Sequence, residues 1–231
     1  MDATASGVGD CRARLTFARF LFSERRRLAA AFRRRLYFYF MASTPPASAR
    51  QQVPSEVYVT LAGLVDDQMV QRVFANGAIA VNSGVKKMHL LIQSPGGTVG
   101  DGIAIYNYLR SLPIEIITYN GGSVMSIAVL VYLAGKVRKV SKAATFMIHR
   151  TTFTFNTPAT AEALKIRAEG LLIDDARSEA ILRQHIEMPA EKWHIHERGD
   201  LTLSADDSVK FGIAHEIADF LPPAGNQIFN V

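Results

Sequence analysis

The chain has 231 residues, enough for one domain with a sizeable core or one domain and a tail, and its 48% hydrophobic and 20% charged content is that of a folded protein. Its pI of about 9.4 comes from residues 1–40, where nine arginines face only Asp2, Asp10 and Glu24. That leader is +6 within a whole-chain charge of +5, so residues 41–231 sum to about −1 and give no support to nucleic-acid binding by the folded part. The single cysteine, Cys11, lies in the leader, which excludes an intramolecular disulfide and thiol catalysis in the core and favours a reducing compartment; no run of about 18 apolar residues predicts a membrane span.

Three segments are expected: a basic leader and linker over 1–53, a folded domain over 54–223, and a short C-terminal tail over 224–231. Residues 1–40 read as an unfolded extension or as translation from a start upstream of Met41; an Arg-rich, acid-poor organellar targeting peptide is the alternative. The Ser/Thr/Pro/Ala stretch at 42–53 reads as a linker. Regular patterning then begins. Val57 to Leu61 predicts a strand and Asp66 to Ala75 a helix. Met88 to Ile92 predicts a buried strand running into Ser94-Pro95-Gly96-Gly97, and Ile103, Ile105, Tyr106 and Leu109 mark one face of the helix that follows. Ile114 to Thr118 is the next strand, closed by a turn at Gly121-Gly122, after which an apolar helix spans Met125 to Leu133. Short strands at 136–140 and 145–148 precede a long helix from Pro158 to Ile186, then a loop carrying Asp200 and a helix capped by Ser204 with Asp207. This order predicts an α/β fold with a parallel sheet, whose ligands gather at the carboxyl ends of strands.

Four segments carry candidate chemistry. Ser126, after a glycine pair and at the opening of a helix, sits near unpaired N–H groups that favour a developing oxyanion, although serines in such places are usually caps. Ser94 to Gly97 lets backbone approach a ligand closely, but it is equally an ordinary strand-to-helix turn. His149 follows an apolar run, Phe146-Met147-Ile148, that predicts a strand delivering an imidazole to the interior; a core histidine reads the same way. Asp200 in Gly199-Asp200-Leu201-Thr202-Leu203-Ser204-Ala205 alone resembles a surface turn.

Taken in order, these segments resemble the ClpP family of self-compartmentalising serine peptidases. Ser94 to Gly97 stands for its oxyanion segment and Gly122 to Ser126, followed by an apolar helix ending Ala134-Gly135, for its nucleophile segment. Met147-Ile148-His149 and Asp200 to Ala205 stand for the segments of its base and acid. The resemblance covers about 56–218 and implies the ClpP/crotonase-type spiral of strand-strand-helix units with a protruding long helix, the handle. It implies Ser126 as nucleophile, His149 as base, Asp200 as orienting acid, and the backbone N–H groups of Gly97 and Ile127 as oxyanion hole. It also implies unfolded protein or peptide substrates bound as an extended strand, homo-oligomeric rings of double-heptamer type and a Clp-type ATP-driven unfoldase. No cofactor, metal, nucleic acid or membrane partner is expected, and the location implied is cytoplasmic, or an organellar matrix if residues 1–40 are a targeting peptide.

The departures from the family pattern bear on specificity and assembly. Val124, Met125 and Ile127 replace small residues around the nucleophile, which predicts a narrower pocket. Arg150-Thr151 replaces Gln-Pro after the histidine, and Gly199 stands where an arginine often makes contacts between rings. His194-Ile195-His196 matches no zinc signature and reads as a solvated helix face, and Trp193 reads as a packing residue. Two other functions compete: a non-catalytic or weakly active subunit of a mixed ring, and a crotonase-type enzyme acting on an acyl-CoA thioester.

Overall fold

The computed structural model describes residues 54–231; the leader and the linker, including Cys11 and the targeting-peptide alternative, lie outside the described residues. The chain order is β1 (Glu56–Ala62), α1 (Asp67–Asn82), β2 (Lys87–Ser94), α2 (Val99–Ser111), β3 (Glu115–Met125), α3 (Ala128–Leu133), β4 (Val137–Val140), β5 (Thr145–Ile148), α4 (Ala161–His185), α5 (Ala190–Arg198), β6 (Leu201–Ser204), α6 (Ala205–Lys210), β7 (Glu216–Ile217) and β8 (Ile228–Asn230). The strands form one sheet in the order β6-β5-β3-β2-β1-β8, with β4 branching from β3 and β7 pairing with β4. Every pairing is parallel except β5 with β6, which is antiparallel. The α/β fold expected from the strand and helix order is therefore present, with one reversed strand.

Helix α1 begins at Asp66, whose side chain accepts from the Met69 N–H at 2.8 Å. It runs to Asn82 rather than stopping near Ala75, passing through Gly77. A Cβ there would lie 2.7 Å from the Tyr108 ring, so this glycine is where α2 packs closely on α1, and the tertiary contact outweighs its low helix propensity. Tyr108 Oη also donates to the Phe74 carbonyl of α1 at 2.8 Å.

The expected turn at Gly121-Gly122 is absent. Both glycines lie inside β3, an 11-residue strand, because side chains of β2 cover them: added Cβ atoms would meet Leu91 at 2.9 Å and the Gln93 amide oxygen at 2.7 Å. The strand changes partner along its length. Ile117–Asn120 pairs with β4, and Ser123–Met125 with β5. Buried Asn120 holds the branch, donating from Nδ2 to the Thr145 carbonyl at 2.9 Å and accepting from the Gly122 N–H at 3.0 Å.

Helix α3 starts later than expected, at Ala128, and is wholly buried through Leu133. Removing side chains such as Val129, Val131 and Leu133 from water is worth roughly 1.5–3 kcal/mol each, making this helix the centre of the core. Helix α4 matches the predicted long helix and buries only Leu182; Leu164, Ile166, Leu172 and Ile173 are exposed. Residues 201–204, expected as loop, form β6, with Leu201 and Leu203 buried in alternation. The capped helix follows as α6, where Ser204 Oγ accepts from the Asp207 N–H at 3.1 Å and donates to Asp207 Oδ2 at 2.8 Å. Within 224–231, β8 adds to the edge of β1 and the Val231 side chain is buried.

Candidate active site

Strand register brings the predicted residues together. In the parallel β3–β5 pair, Met125 lies opposite Met147, and the Ser126 N–H continues the ladder by donating to the Met147 carbonyl at 2.7 Å. In the antiparallel β5–β6 pair, Phe146 faces Leu203 and Ile148 faces Leu201. One step further sets His149 against Asp200. Ser126 and His149 thus leave the carboxyl ends of β3 and β5, and Asp200 precedes the amino end of β6 at the same edge of the sheet.

Ser126 is the only non-glycine residue at positive φ among the described residues, with φ of +54°. A left-handed conformation costs a non-glycine residue about 1–2 kcal/mol and persists only when its surroundings over-determine it. Here the Met147 bond behind and buried α3 ahead do so. The resulting strand–serine–helix corner lifts Oγ out of the sheet, as a nucleophile elbow does. Ser126 Oγ lies 2.7 Å from His149 Nε2. His149 Nδ1 lies 3.7 Å from Asp200 Oδ1, beyond direct hydrogen-bond range, and the Asp200 side chain is 67% exposed.

The segment Ser94 to Gly97 closes on Ser126 from the β2 side. Ser94 Oγ accepts from the Gly96 N–H at 3.1 Å, and a Cβ at Gly96, where φ is +101°, would lie 2.6 Å from the Ser126 Cβ. Gly97 forms a parallel bridge with Val65: Val65 N–H donates to the Gly96 carbonyl at 2.9 Å and Thr98 N–H to the Val65 carbonyl at 2.8 Å. In that pattern the Gly97 N–H points away from Val65. A side chain at 97 would collide with the Val65 backbone. Gly97 and Ile127 line one cleft with Ser126 and His149, of about 260 Å³. Acyl transfer requires a hydroxyl nucleophile and hydrogen-bond donors for the developing oxyanion within one such cleft.

The bulky residues beside Ser126 are largely taken up by the core. Val124 is fully buried, and Ile127 packs where Gly102 of α2 leaves room. At Gly199 an added Cβ would meet nothing, so no local contact requires glycine there.

Sequence patterning missed the far wall of the cleft: Asp175, Ser178, Glu179 and Leu182 of α4, with His196 of α5. The signal was present, since 175, 178, 179 and 182 share one helical face. His196 corrects the solvated-face expectation for 194–196. It is buried beside Trp193, and burial holds its pKa below the usual histidine range, whereas His194 is exposed and pairs with Glu197 at 3.3 Å. Trp193 is buried, as a packing residue should be. No group of three or more metal-ligating side chains suited to an ion occurs among the described residues, and no helix there is long and apolar enough to cross a membrane.

Comparison with known proteins agrees with this architecture. The Clp protease family model matches residues 47–220, about three quarters of the chain. The ATP-dependent Clp protease proteolytic subunit of Streptococcus salivarius is 26% identical over 173 residues, covering 74% of this chain and 86% of that protein. The subunit of the same name from Streptococcus thermophilus is 25% identical over 162 residues, covering 69% and 83%. A point mutant of ClpP1 from Listeria monocytogenes superposes with a TM-score of 0.61 at 20% identity, covering 72% of this chain and 92% of that one, which establishes the shared fold. The chain belongs to the Clp protease family, as a divergent member.

Proposed function

We propose that this chain is a serine-type endopeptidase subunit that hydrolyses unfolded polypeptide with Ser126 as nucleophile, His149 as general base and Asp200 as orienting acid. The observation that carries the reading is the 2.7 Å approach of Ser126 Oγ to His149 Nε2 at a corner where Ser126 is held at positive φ. With the imidazole neutral and its proton on Nδ1, toward Asp200, Nε2 accepts the hydroxyl proton as Oγ attacks the peptide carbonyl. The N–H groups of Gly97 and Ile127 receive the oxyanion, each worth roughly 2.7–4 kcal/mol to the transition state. Protonated His149 then donates to the leaving amine, and water releases the acyl group by the reverse sequence.

Family membership supports assembly into rings and cooperation with a Clp-type ATP-driven unfoldase. The exposed apolar residues of α4 are a surface that packing against further copies would cover. A cytoplasmic or organelle-matrix location fits the reading. A fluorophosphonate probe tests the chemistry: the protein is expected to label on Ser126 and the Ser126→Ala variant not at all. Labelling that persists in the variant removes Ser126 from the role.

One observation favours a second reading, a weakly active subunit that depends on a partner in a mixed ring. The His149–Asp200 separation of 3.7 Å leaves the imidazole loosely oriented by the acid. Peptidase assays of the chain alone and of the chain co-assembled with a family homologue separate the two readings.

A further inference from the structure

We propose that Arg150 is a positioning residue for His149, clamped by Asp175 and Glu179 of α4; the inference rests on the peptidase reading above. Up to Ile148 the backbone is fixed by the β6 ladder, but after His149 no regular element begins until α4 at Ala161. The direction of the imidazole depends on both flanking peptide planes, so the C-terminal side needs its own restraint. Asp175 provides it with both oxygens: Oδ1 accepts from the Thr151 N–H at 2.7 Å and Oδ2 from Arg150 Nη1 at 3.3 Å. Arg150 Nη2 donates to Glu179 Oε2 at 3.1 Å, one helical turn further along the same face. Glu179 is held in turn by Arg183 Nε, which donates to Oε1 at 2.7 Å.

Burial decides which restraint is stronger. The Asp175 and Glu179 side chains are only 12% and 19% exposed, whereas that of Asp200 is 67% exposed and too distant for a direct bond. Charge-assisted bonds to half-buried, forked partners hold geometry better than an exposed ion pair, which is screened and entropically loose. Leu182, on the same face of α4, is buried in the core, so the clamp is anchored to a fixed element. Arg150 therefore supplies much of the orientation that Asp200 does not reach.

The test uses the full-length protein in its native assembly, a fluorogenic peptide and a fluorophosphonate probe. Arg150→Gln is expected to lower kcat and the labelling rate by roughly 10- to 100-fold, the scale of a misplaced catalytic group, with KM changed less than about threefold. Arg150→Lys, which can bridge only one carboxylate well, is expected to recover part of the loss. Unchanged kcat and labelling in Arg150→Gln overturn the proposal, as does an effect on KM alone, which would make Arg150 a substrate contact. Where Arg150→Gln melts early, Glu179→Gln carries the test: it leaves the Asp175 fork in place and is expected to lose several-fold in kcat, and full activity overturns the clamp. Failure of the unsubstituted protein to label at all overturns the peptidase reading itself, and the clamp with it.

Discussion

Ile148 and Leu201 are partners in an antiparallel ladder, and it is their pairing that carries His149 to Asp200 across the fifty residues of intervening chain. His149 and Asp200 are juxtaposed by β-sheet register, with buried Phe146, Ile148, Leu201 and Leu203 fixing that register from the core side.

Truncating Leu203, which is fully buried, therefore has two expected effects. Leu203→Ala should cost roughly 2–5 kcal/mol of stability as a core cavity forms, and activity should fall at temperatures well below unfolding as β6 loosens from β5. Denaturant titration and peptide hydrolysis on the same sample check both.

Asp200→Asn is expected to reduce kcat by roughly 10- to 100-fold, well short of the ~10⁴-fold drop seen where such an acid is buried and directly bonded. The reason is the exposed, 3.7 Å contact. A 10⁴-fold loss would mean that substrate or assembly closes this gap.

Ser126→Gly and Ser126→Ala should both abolish labelling, yet differ in stability. Glycine tolerates φ of +54° without the Cβ penalty, so Ser126→Gly should be more stable than Ser126→Ala by about 1 kcal/mol. Equal unfolding midpoints would show that the corner stores no strain.

Gly96→Ala should be destabilising and inactive, because its Cβ would fall 2.6 Å from that of Ser126 at a φ of +101°. Loss of labelling together with a lowered Tm is the expected result.

Acid lability should involve His185. Burial first, then Arg138 and Arg110, push its pKa from 6.5 down to about 4. The folded chain binds a proton there less readily than the unfolded one. The stability contributed by neutral His185 is thus complete above about pH 6.5 and is lost as pH falls toward 4. Its size is on the order of 1–2 kcal/mol once partial exposure is allowed for. Stability measured against pH should fall less steeply over that window in His185→Gln, which lacks the titrating ring beside the Tyr106 hydroxyl.

The residues of the candidate site stood out because each sits in a short local pattern: the glycines before Val99, the apolar run before His149, the capping pair Ser204 and Asp207. The long helix was likewise expected, from Pro158 to Ile186, and α4 fills Ala161–His185. What escaped depends on partners distant in sequence. Gly121 and Gly122 read as a turn because nothing local reveals that Leu91 and Gln93 cover them. The alternation of Leu201 and Leu203 is too short to announce a strand without β5 beside it. Ile228–Asn230 is a strand only because the edge of β1 is open to it. Arg150 stood out only as a departure from the family pattern, and its meaning required the face of α4 that carries Asp175 and Glu179.

The reversed strand β6 also has a consequence in time. The ribosome delivers Ser126 and His149 well before Leu201 to Ser204, and until the β5–β6 ladder closes, nothing in the sheet brings Asp200 near His149. In a growing chain Ser126 and His149 can therefore meet before Asp200 joins them, and the third member of the proposed triad arrives only with β6.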